Sequence, residues 1–126
     1  MAKEKVKKEG KKTGTKLVMH QLATGQEVRL VYGDGRIENF VVVELLAYQA
    51  LQPNSPYSSF RNLYAADETL SAEQMFKRVY FGDRHVTFQT CIEQGGEPSW
   101  GRLFVIAIPR NEYIKFNRLN QFIYQN

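Results

Sequence analysis

The sequence predicts a mainly β domain, an antiparallel barrel or curled sheet with one or two short helices. A Gly-Asp-Gly-Arg turn at residues 33–36 separates two apolar runs, residues 28–32 and 37–46, as in a β-hairpin. Polar and apolar residues alternate over residues 85–91, which is typical of a strand with one buried face. Residues 103–108 form a continuous apolar run that stops at a proline, and they predict a further strand.

The segments between these strands predict shorter elements. Residues 16–26 suggest one helical turn or an ordered lead-in, and the composition of residues 52–59 indicates a loop. Residues 71–78 resemble a short helix with Ser71 or Thr69 as its N-cap. Residues 93–99 contain Gly95-Gly96 and predict a loop of the kind that rims a site. Residues 111–126 fit either an amphipathic helix or a last irregular strand.

Charge divides the chain into two parts. The first 16 residues carry seven lysines and two glutamates, whereas the remaining 110 carry ten basic and eleven acidic residues. We therefore expect a disordered lysine-rich tail over residues 1–15 and one nearly neutral domain over residues 16–126. Nucleic-acid-binding proteins usually carry their basic excess on the folded surface, so this pattern argues against that class.

Two absences from the sequence exclude further classes. No apolar run approaches the roughly 18 to 20 residues of a membrane span, and no apolar stretch follows the N-terminal lysines as a signal peptide requires. A single cysteine excludes an internal disulfide and argues strongly against a cysteine-based zinc site. No metal or organic cofactor is indicated.

The single cysteine, Cys91, ends the alternating strand among polar side chains. Alternation assigns the natural core face to Val86, Phe88 and Thr90, and the polar face to His85, Thr87, Gln89 and Cys91. A structural cysteine would more naturally belong to the apolar set. Its position beside Thr and Gln instead predicts a thiol at a wet groove.

A nucleophilic thiol reacts as the thiolate and therefore needs a cationic neighbour or a base. An antiparallel hairpin would bring Arg102 back close to Cys91. A guanidinium there could stabilise the thiolate, hold substrate carbonyl groups or stabilise the oxyanion of a tetrahedral intermediate. The alternative is a solvated arginine at the start of a strand.

Thr87-Phe88-Gln89-Thr90-Cys91, followed by Arg102, resembles the active-site strand pair of sortases, a family of cysteine transpeptidases. Those enzymes carry Thr-Leu-x-Thr-Cys at the end of one strand and an arginine at the start of the next. Phe88 replaces the usual leucine. Residues 22–28 are similar to the family's Leu-x-x-Gly-Asp-x-Val entry to a barrel strand, with Gln26 in place of the aspartate. The similarity spans residues 17–109.

The resemblance implies a sortase-like antiparallel β-barrel, truncated in this chain, that acts on a peptide sorting signal and an amine acceptor. Cys91 would attack a Thr–Gly-type bond to form a thioester, and Arg102 would stabilise the oxyanion or orient the peptide. The residues expected to contact the substrates are Thr87, Gln89, Thr90 and Trp100. The family works at the cell surface, although this chain shows no signal peptide or membrane anchor.

A sortase also requires a histidine as general acid and base. His85 lies six residues before Cys91 on the same strand, which places it about 20 Å away. His20 lies in the lead-in and would act only if the N-terminal segment folds back. A missing N-terminal segment or a second chain would otherwise supply the histidine.

Two other functions stay open. The chain would be a non-catalytic peptide-binding module on the same scaffold if the thiol alkylates no faster than free cysteine. It would instead be a small β-barrel that binds anionic polymers if a steeply salt-dependent interaction is lost on deletion of residues 1–15.

Overall fold

The computed structural model describes residues 22–125, which form a mainly β fold of six strands and two helices. The strands are β1 (Glu27–Val31), β2 (Ile37–Ala50), β3 (Phe60–Asn62), β4 (Thr69–Leu70), β5 (Val86–Gln94) and β6 (Glu97–Pro109). The helices are α1 (Ala72–Tyr80) and α2 (Arg110–Gln125). The lysine-rich tail predicted over residues 1–15, and His20, lie outside the described residues.

All strands belong to one antiparallel sheet with β2 at its centre. One edge of β2 pairs with β6, and the other pairs with β1 near the start of β2 and with β3 near its end. The order along the main path is β4-β3-β2-β6-β5, and the sheet is not closed. The mainly antiparallel β prediction is therefore confirmed at the level of the sheet, and β5 forms an outer strand.

The turn predicted between β1 and β2 is present. The Asp34 carboxylate accepts a hydrogen bond of 3.0 Å from the backbone N–H of Arg36, and Gly35 has a φ of 91°. A residue without a Cβ adopts this conformation at low cost. Beyond the turn, β2 is long and carries a register shift between Val42 and Glu44, as expected of a long or bulged return strand.

The sheet buries apolar side chains on both faces. The first core consists of Leu22, Val28, Leu30, Phe40, Val42, Val86, Phe88, Val105 and Ala107. The second core consists of Leu46, Tyr48, Ala50, Phe60, Val79, Phe104 and Ile106, with Met75 and Tyr80 of α1 packed against it. The polar face predicted for β5 is therefore covered by α1 for part of its length, and His85 is buried rather than in a wet groove.

The cap of α1 resolves the two alternatives that the sequence offered. Ser71 accepts a hydrogen bond from the backbone N–H of Gln74, and the Gln74 side chain accepts one from the backbone N–H of Ser71. This reciprocal arrangement is a capping box. Thr69 lies in β4 instead.

The C-terminal segment is a helix and not a strand. Tyr113 and Ile114 of α2 are half-buried, whereas Phe116 and Leu119 are 59% and 58% exposed. Within residues 22–125, neither helix is long and apolar enough to cross a membrane.

The loop predicted over residues 93–99 is wrong. β5 continues to Gln94 and β6 begins at Glu97, so only Gly95 and Gly96 form the turn. Their φ angles are 60° and 81°, and two consecutive positive values suit a two-residue turn whose twist matches that of the strands. The turn therefore closes a tight hairpin instead of a long loop beside a site.

Candidate functional site at the β5–β6 hairpin

The β5–β6 hairpin places Cys91 directly opposite Arg102 in the antiparallel register. Directly opposed residues lie on the same face with their Cβ atoms about 4.5–5.5 Å apart. The two residues that the sequence singled out as a catalytic pair are therefore neighbours in the sheet.

Cys91 is an exposed free thiol. On the same strand and face, Gln89 is exposed and its amide oxygen accepts a hydrogen bond of 2.8 Å from the Tyr80 hydroxyl, at the end of α1. The helix thus covers this face of β5 only as far as Gln89, and the thiol lies beyond it. Access for a substrate is open at Cys91.

The Arg102 guanidinium is engaged with its own strand. Its Nη1 atom donates hydrogen bonds to the backbone carbonyl oxygens of Ser99 and Gly101, at 3.1 and 3.0 Å. Its central carbon lies 6.0 Å from the centre of the Phe60 ring, on β3. Since β2 and β3 lie on the side of β6 away from β5, the guanidinium points away from the thiol. A direct contact with Cys91 requires a different rotamer of Arg102.

His85 is held by the backbone around the end of α1. Its Nδ1 atom lies 2.6 Å from the carbonyl oxygen of Asp83, and its Nε2 atom lies 3.1 Å from the carbonyl oxygen of Val79. The side chain is 8% exposed. A neutral imidazole has one N–H and therefore donates to one of these two carbonyl oxygens, and the ring lies buried between the end of α1 and the start of β5.

The remaining predicted site residues divide between the two faces of the hairpin. Thr87 shares the face of Cys91, but its hydroxyl donates a hydrogen bond to the Val79 carbonyl oxygen under the end of α1. Thr90 is paired with Leu103 and lies on the opposite face, so it does not line a groove with Cys91. Trp100 is half-buried and lies where the pairing of β6 with β5 is irregular, between the partners of Ile92 and Gln94.

The sequence analysis missed an aromatic patch beside this hairpin, formed by Phe76, Tyr80 and Phe81. The ring centres of Phe76 and Tyr80 are 4.9 Å apart, and those of Phe76 and Phe81 are 6.0 Å apart. Phe76 and Phe81 are 45% and 61% exposed. The i, i+4 spacing of Phe76 and Tyr80 was the available signal, since such residues lie on one helix face, but the helix was predicted to end at residue 78.

Two cavities lie elsewhere, on either side of α2. One, of about 660 Å³, is lined by Arg84, Phe116 and Leu119 among others, and the other, of about 500 Å³, by Gly25, Val43 and Tyr113 among others. Neither is lined by Cys91 or Arg102. Within residues 22–125, no cluster of three or more His, Cys, Asp and Glu side chains could hold a metal ion. The thiol of the candidate site lies on the exposed surface of the hairpin.

The class defined by these features is a mainly β domain with an open antiparallel sheet and an exposed thiol opposite an arginine. Comparison with known proteins finds no matching family model, no matching curated protein and no matching solved structure.

Proposed function

We propose that this domain is a sortase-like thiol acyltransferase that uses Cys91 as its nucleophile. The observation that carries the proposal is the direct cross-strand pairing of an exposed thiol with an arginine on one face of a hairpin. The open sheet would correspond to a sortase-like barrel that stays open at the edge of β5. The substrates would be a peptide sorting signal and an amine acceptor, both at the cell surface.

The proposed reaction has two steps, the acylation of Cys91 and the transfer of the acyl group to a second amine. The Cys91 sulfur attacks the carbonyl carbon of a Thr–Gly-type bond, so a C–S bond forms and the C–N bond breaks. The thiol hydrogen ends on the departing amine. A second amine then attacks the thioester, forms a new amide and returns the thiol.

Arg102 would act electrostatically once it leaves its two carbonyl partners. A guanidinium beside the thiol favours the thiolate, and it can stabilise negative charge on the oxygen of the tetrahedral intermediate. Of the four predicted substrate contacts, Thr87, Gln89 and Trp100 remain part of the proposal, whereas Thr90 lies on the face opposite to Cys91. Of these four, Gln89 has the most accessible side chain on the face of Cys91.

The proton transfers need a general acid and base from outside the described residues. His85 is the only histidine within residues 22–125, and it is buried beside the end of α1. His20, a further N-terminal segment or a second chain would supply the imidazole.

Intact mass measurement tests the acyl transfer. We expect incubation with peptides that contain a Thr–Gly bond to add the mass of the N-terminal peptide fragment, and hydroxylamine to remove it, because a thioester is labile to that nucleophile. Cys91→Ala should carry no adduct. The adduct should form several-fold more slowly in Arg102→Ala, because the oxyanion of the tetrahedral intermediate loses its cation. No adduct with any such peptide would contradict the proposal.

A second candidate is a peptide-binding module without catalysis. It is favoured by the hydrogen bonds that hold Arg102 away from Cys91 and by the buried ring of His85. This candidate predicts peptide binding that is unchanged in Cys91→Ala, with no covalent adduct in the wild-type protein. Isothermal titration with the same peptides separates the two functions.

A further inference from the structure

The strand that carries Cys91 has an unpaired edge. Within the part of the chain that the structure describes, β5 pairs with β6 alone and lies at the end of the sheet order. No other backbone hydrogen bond involves residues 86–94 in that part. The outward N–H and C=O groups of a nine-residue strand are therefore available to another polypeptide.

Over residues 86–92 this edge lacks most of the features that usually prevent strand pairing, and its register with β6 shifts only between Ile92 and Gln94. Proteins protect their outer strands with lysine, proline, bulges or short length. β4 has two residues, and β1 has five, including Glu27 and Arg29. β5 has no lysine, arginine or proline, its only charged residue is Glu93, and Val, Thr, Phe and Ile dominate it. Its composition favours pairing rather than opposing it.

The aromatic patch lies next to the same edge. The hydrogen bond from Tyr80 to Gln89 connects the patch to β5 on the face that carries Cys91. A strand added beside β5 would direct alternate side chains to this face. Those side chains would lie near Phe76 and Phe81, which are otherwise exposed.

We propose that the acyl-donor peptide binds in an extended conformation as a seventh strand on the free edge of β5, with alternate side chains against Phe76, Tyr80 and Phe81. This inference rests on the proposed function, and it specifies how the substrate is recognised. Backbone hydrogen bonds give affinity in strand addition, and side-chain contacts give specificity. The peptide residue opposite Cys91 would lie at the usual cross-strand distance of about 4.5–5.5 Å between Cβ atoms.

Disulfide tethering tests strand addition without any catalytic step. The probe is the peptide acetyl-Thr-Val-Thr-Cys-Thr-Val-Thr-amide. Its thiol displaces glutathione from a mixed disulfide at Cys91, so one disulfide replaces another and reduced glutathione leaves. Two versions with N-methylated backbone amides serve as matched controls: one is methylated on both valines, and the other on the two threonines that flank Cys. Only alternate amides of an added strand face β5, and a methylated amide cannot donate a hydrogen bond to it. We therefore expect one of the two methylated versions to form the disulfide with an equilibrium constant about tenfold lower than that of the parent peptide. The other should match the parent peptide.

A pair of exposed phenylalanines provides the control on the protein side. Phe81→Ser should weaken the tethered complex several-fold, whereas Phe116→Ser on α2, which is similarly exposed, should leave it unchanged. Hydrogen exchange should slow at alternate amides of β5 on tethering. Equal behaviour of all three peptides, with no slowing at β5, would overturn strand addition whatever the outcome of the acyl-transfer test.

The same measurements detect a second copy of the chain on this edge. If the untethered protein is a dimer whose outward β5 amides already exchange slowly, the edge is occupied by another β5 and the peptide proposal is wrong. A third outcome separates the two proposals. If hydrogen exchange at β5 slows on tethering but the mass experiment shows no thioester, strand addition is supported and acyl transfer is wrong.

Discussion

Gly101 determines how closely β2 and β6 approach each other beside the candidate site. A Cβ atom at this position would lie 2.6 Å from the backbone carbonyl oxygen of Tyr48 and 3.4 Å from two carbon atoms of Ile92. Real Cβ atoms do not approach a backbone oxygen so closely, and a backbone atom cannot rotate away. The absence of a side chain at Gly101 therefore fixes the packing next to Arg102.

We expect Gly101→Ala to lower the free energy of unfolding by about 1–3 kcal/mol, because the strands must separate to fit the added methyl group. Urea denaturation followed by circular dichroism measures this change. Gly33→Ala is the matched control, since a Cβ there has no neighbour within 4 Å and the backbone has no positive φ. Similar stability of the two variants would show that the β2–β6 approach is not limited by Gly101.

His85 has a structural role at the junction of α1 and β5. Its two ring contacts join the carbonyl oxygens of Asp83 and Val79, and Thr87 donates to the Val79 oxygen as well. A buried carbonyl oxygen that loses its donor costs free energy, so the contacts of His85 and Thr87 hold the end of α1 against β5. The imidazole thus positions the helix that carries the aromatic patch, and it is too far along the strand for proton transfer at Cys91.

At the scale of elements, α1 determines which part of the hairpin is exposed. The helix covers the second core through Val79, Met75 and Tyr80, and its end lies over Thr87. Cys91 lies four residues farther along β5 and remains accessible. The location of the candidate site therefore depends on where the helix begins and ends.

We expect Ser71→Ala to destabilise the protein by about 1 kcal/mol, because it removes the acceptor for the Gln74 N–H in the capping box. The free energy of unfolding from urea titration gives the value. Thr69→Ala is the comparison, since Thr69 is exposed in the short strand β4 and should cost less than about 0.5 kcal/mol. A larger loss for Thr69→Ala than for Ser71→Ala would contradict the assignment of the cap.

At the scale of the whole molecule, ion pairs join segments that are distant in the sequence. Arg84 donates two hydrogen bonds to the Glu38 carboxylate, which connects the start of β2 to the segment before β5. Arg78 of α1 pairs with Glu44 of β2, and Arg110 pairs with Glu27 of β1. The hydrogen bonds from the Arg84 guanidinium hold the pKa of Glu38 below its usual value, with a smaller contribution from the Tyr32 hydroxyl.

This ion pair predicts a pH dependence of stability. Because the pKa of Glu38 is lower in the folded state, its contribution is fully present above the unfolded value of about 4.3 and is lost as the pH falls through the folded value. We expect Glu38→Gln to be less stable than wild type by up to about 1 kcal/mol at pH 7 and by progressively less below pH 4. Urea titrations from pH 2 to pH 7 measure the difference.

Glu73→Gln is the control for this experiment. The Glu73 carboxylate oxygen Oε2 lies 3.4 Å from the Lys77 Nζ atom on the exposed surface of α1. Its substitution should therefore change the free energy of unfolding by a small and nearly constant amount over the same pH range. If the difference in unfolding free energy between Glu38→Gln and wild type also stays constant with pH, the pair with Arg84 does not contribute to stability.

The sequence by itself determined the local elements of this protein. The alternation over residues 85–91 identified β5, the Asp-Gly turn identified the β1–β2 hairpin, and Ser71 was one of two candidate caps. The antiparallel return that brings Arg102 opposite Cys91 was also predictable, because a hairpin fixes the order of its residues. These features depend on backbone geometry and side-chain period, which short stretches of sequence encode.

Only the tertiary structure decided which surfaces are covered, open or paired. Arg102 turns to carbonyl groups of its own strand and towards Phe60, 42 positions away in the sequence, and α1 covers the face of β5 that alternation alone marked as wet. Among the residues that the structure describes, the free edge of β5 follows from the strand order, which depends on pairing between distant segments. Local periodicity gives the two faces of a strand, but packing against remote residues determines what each face and edge contacts.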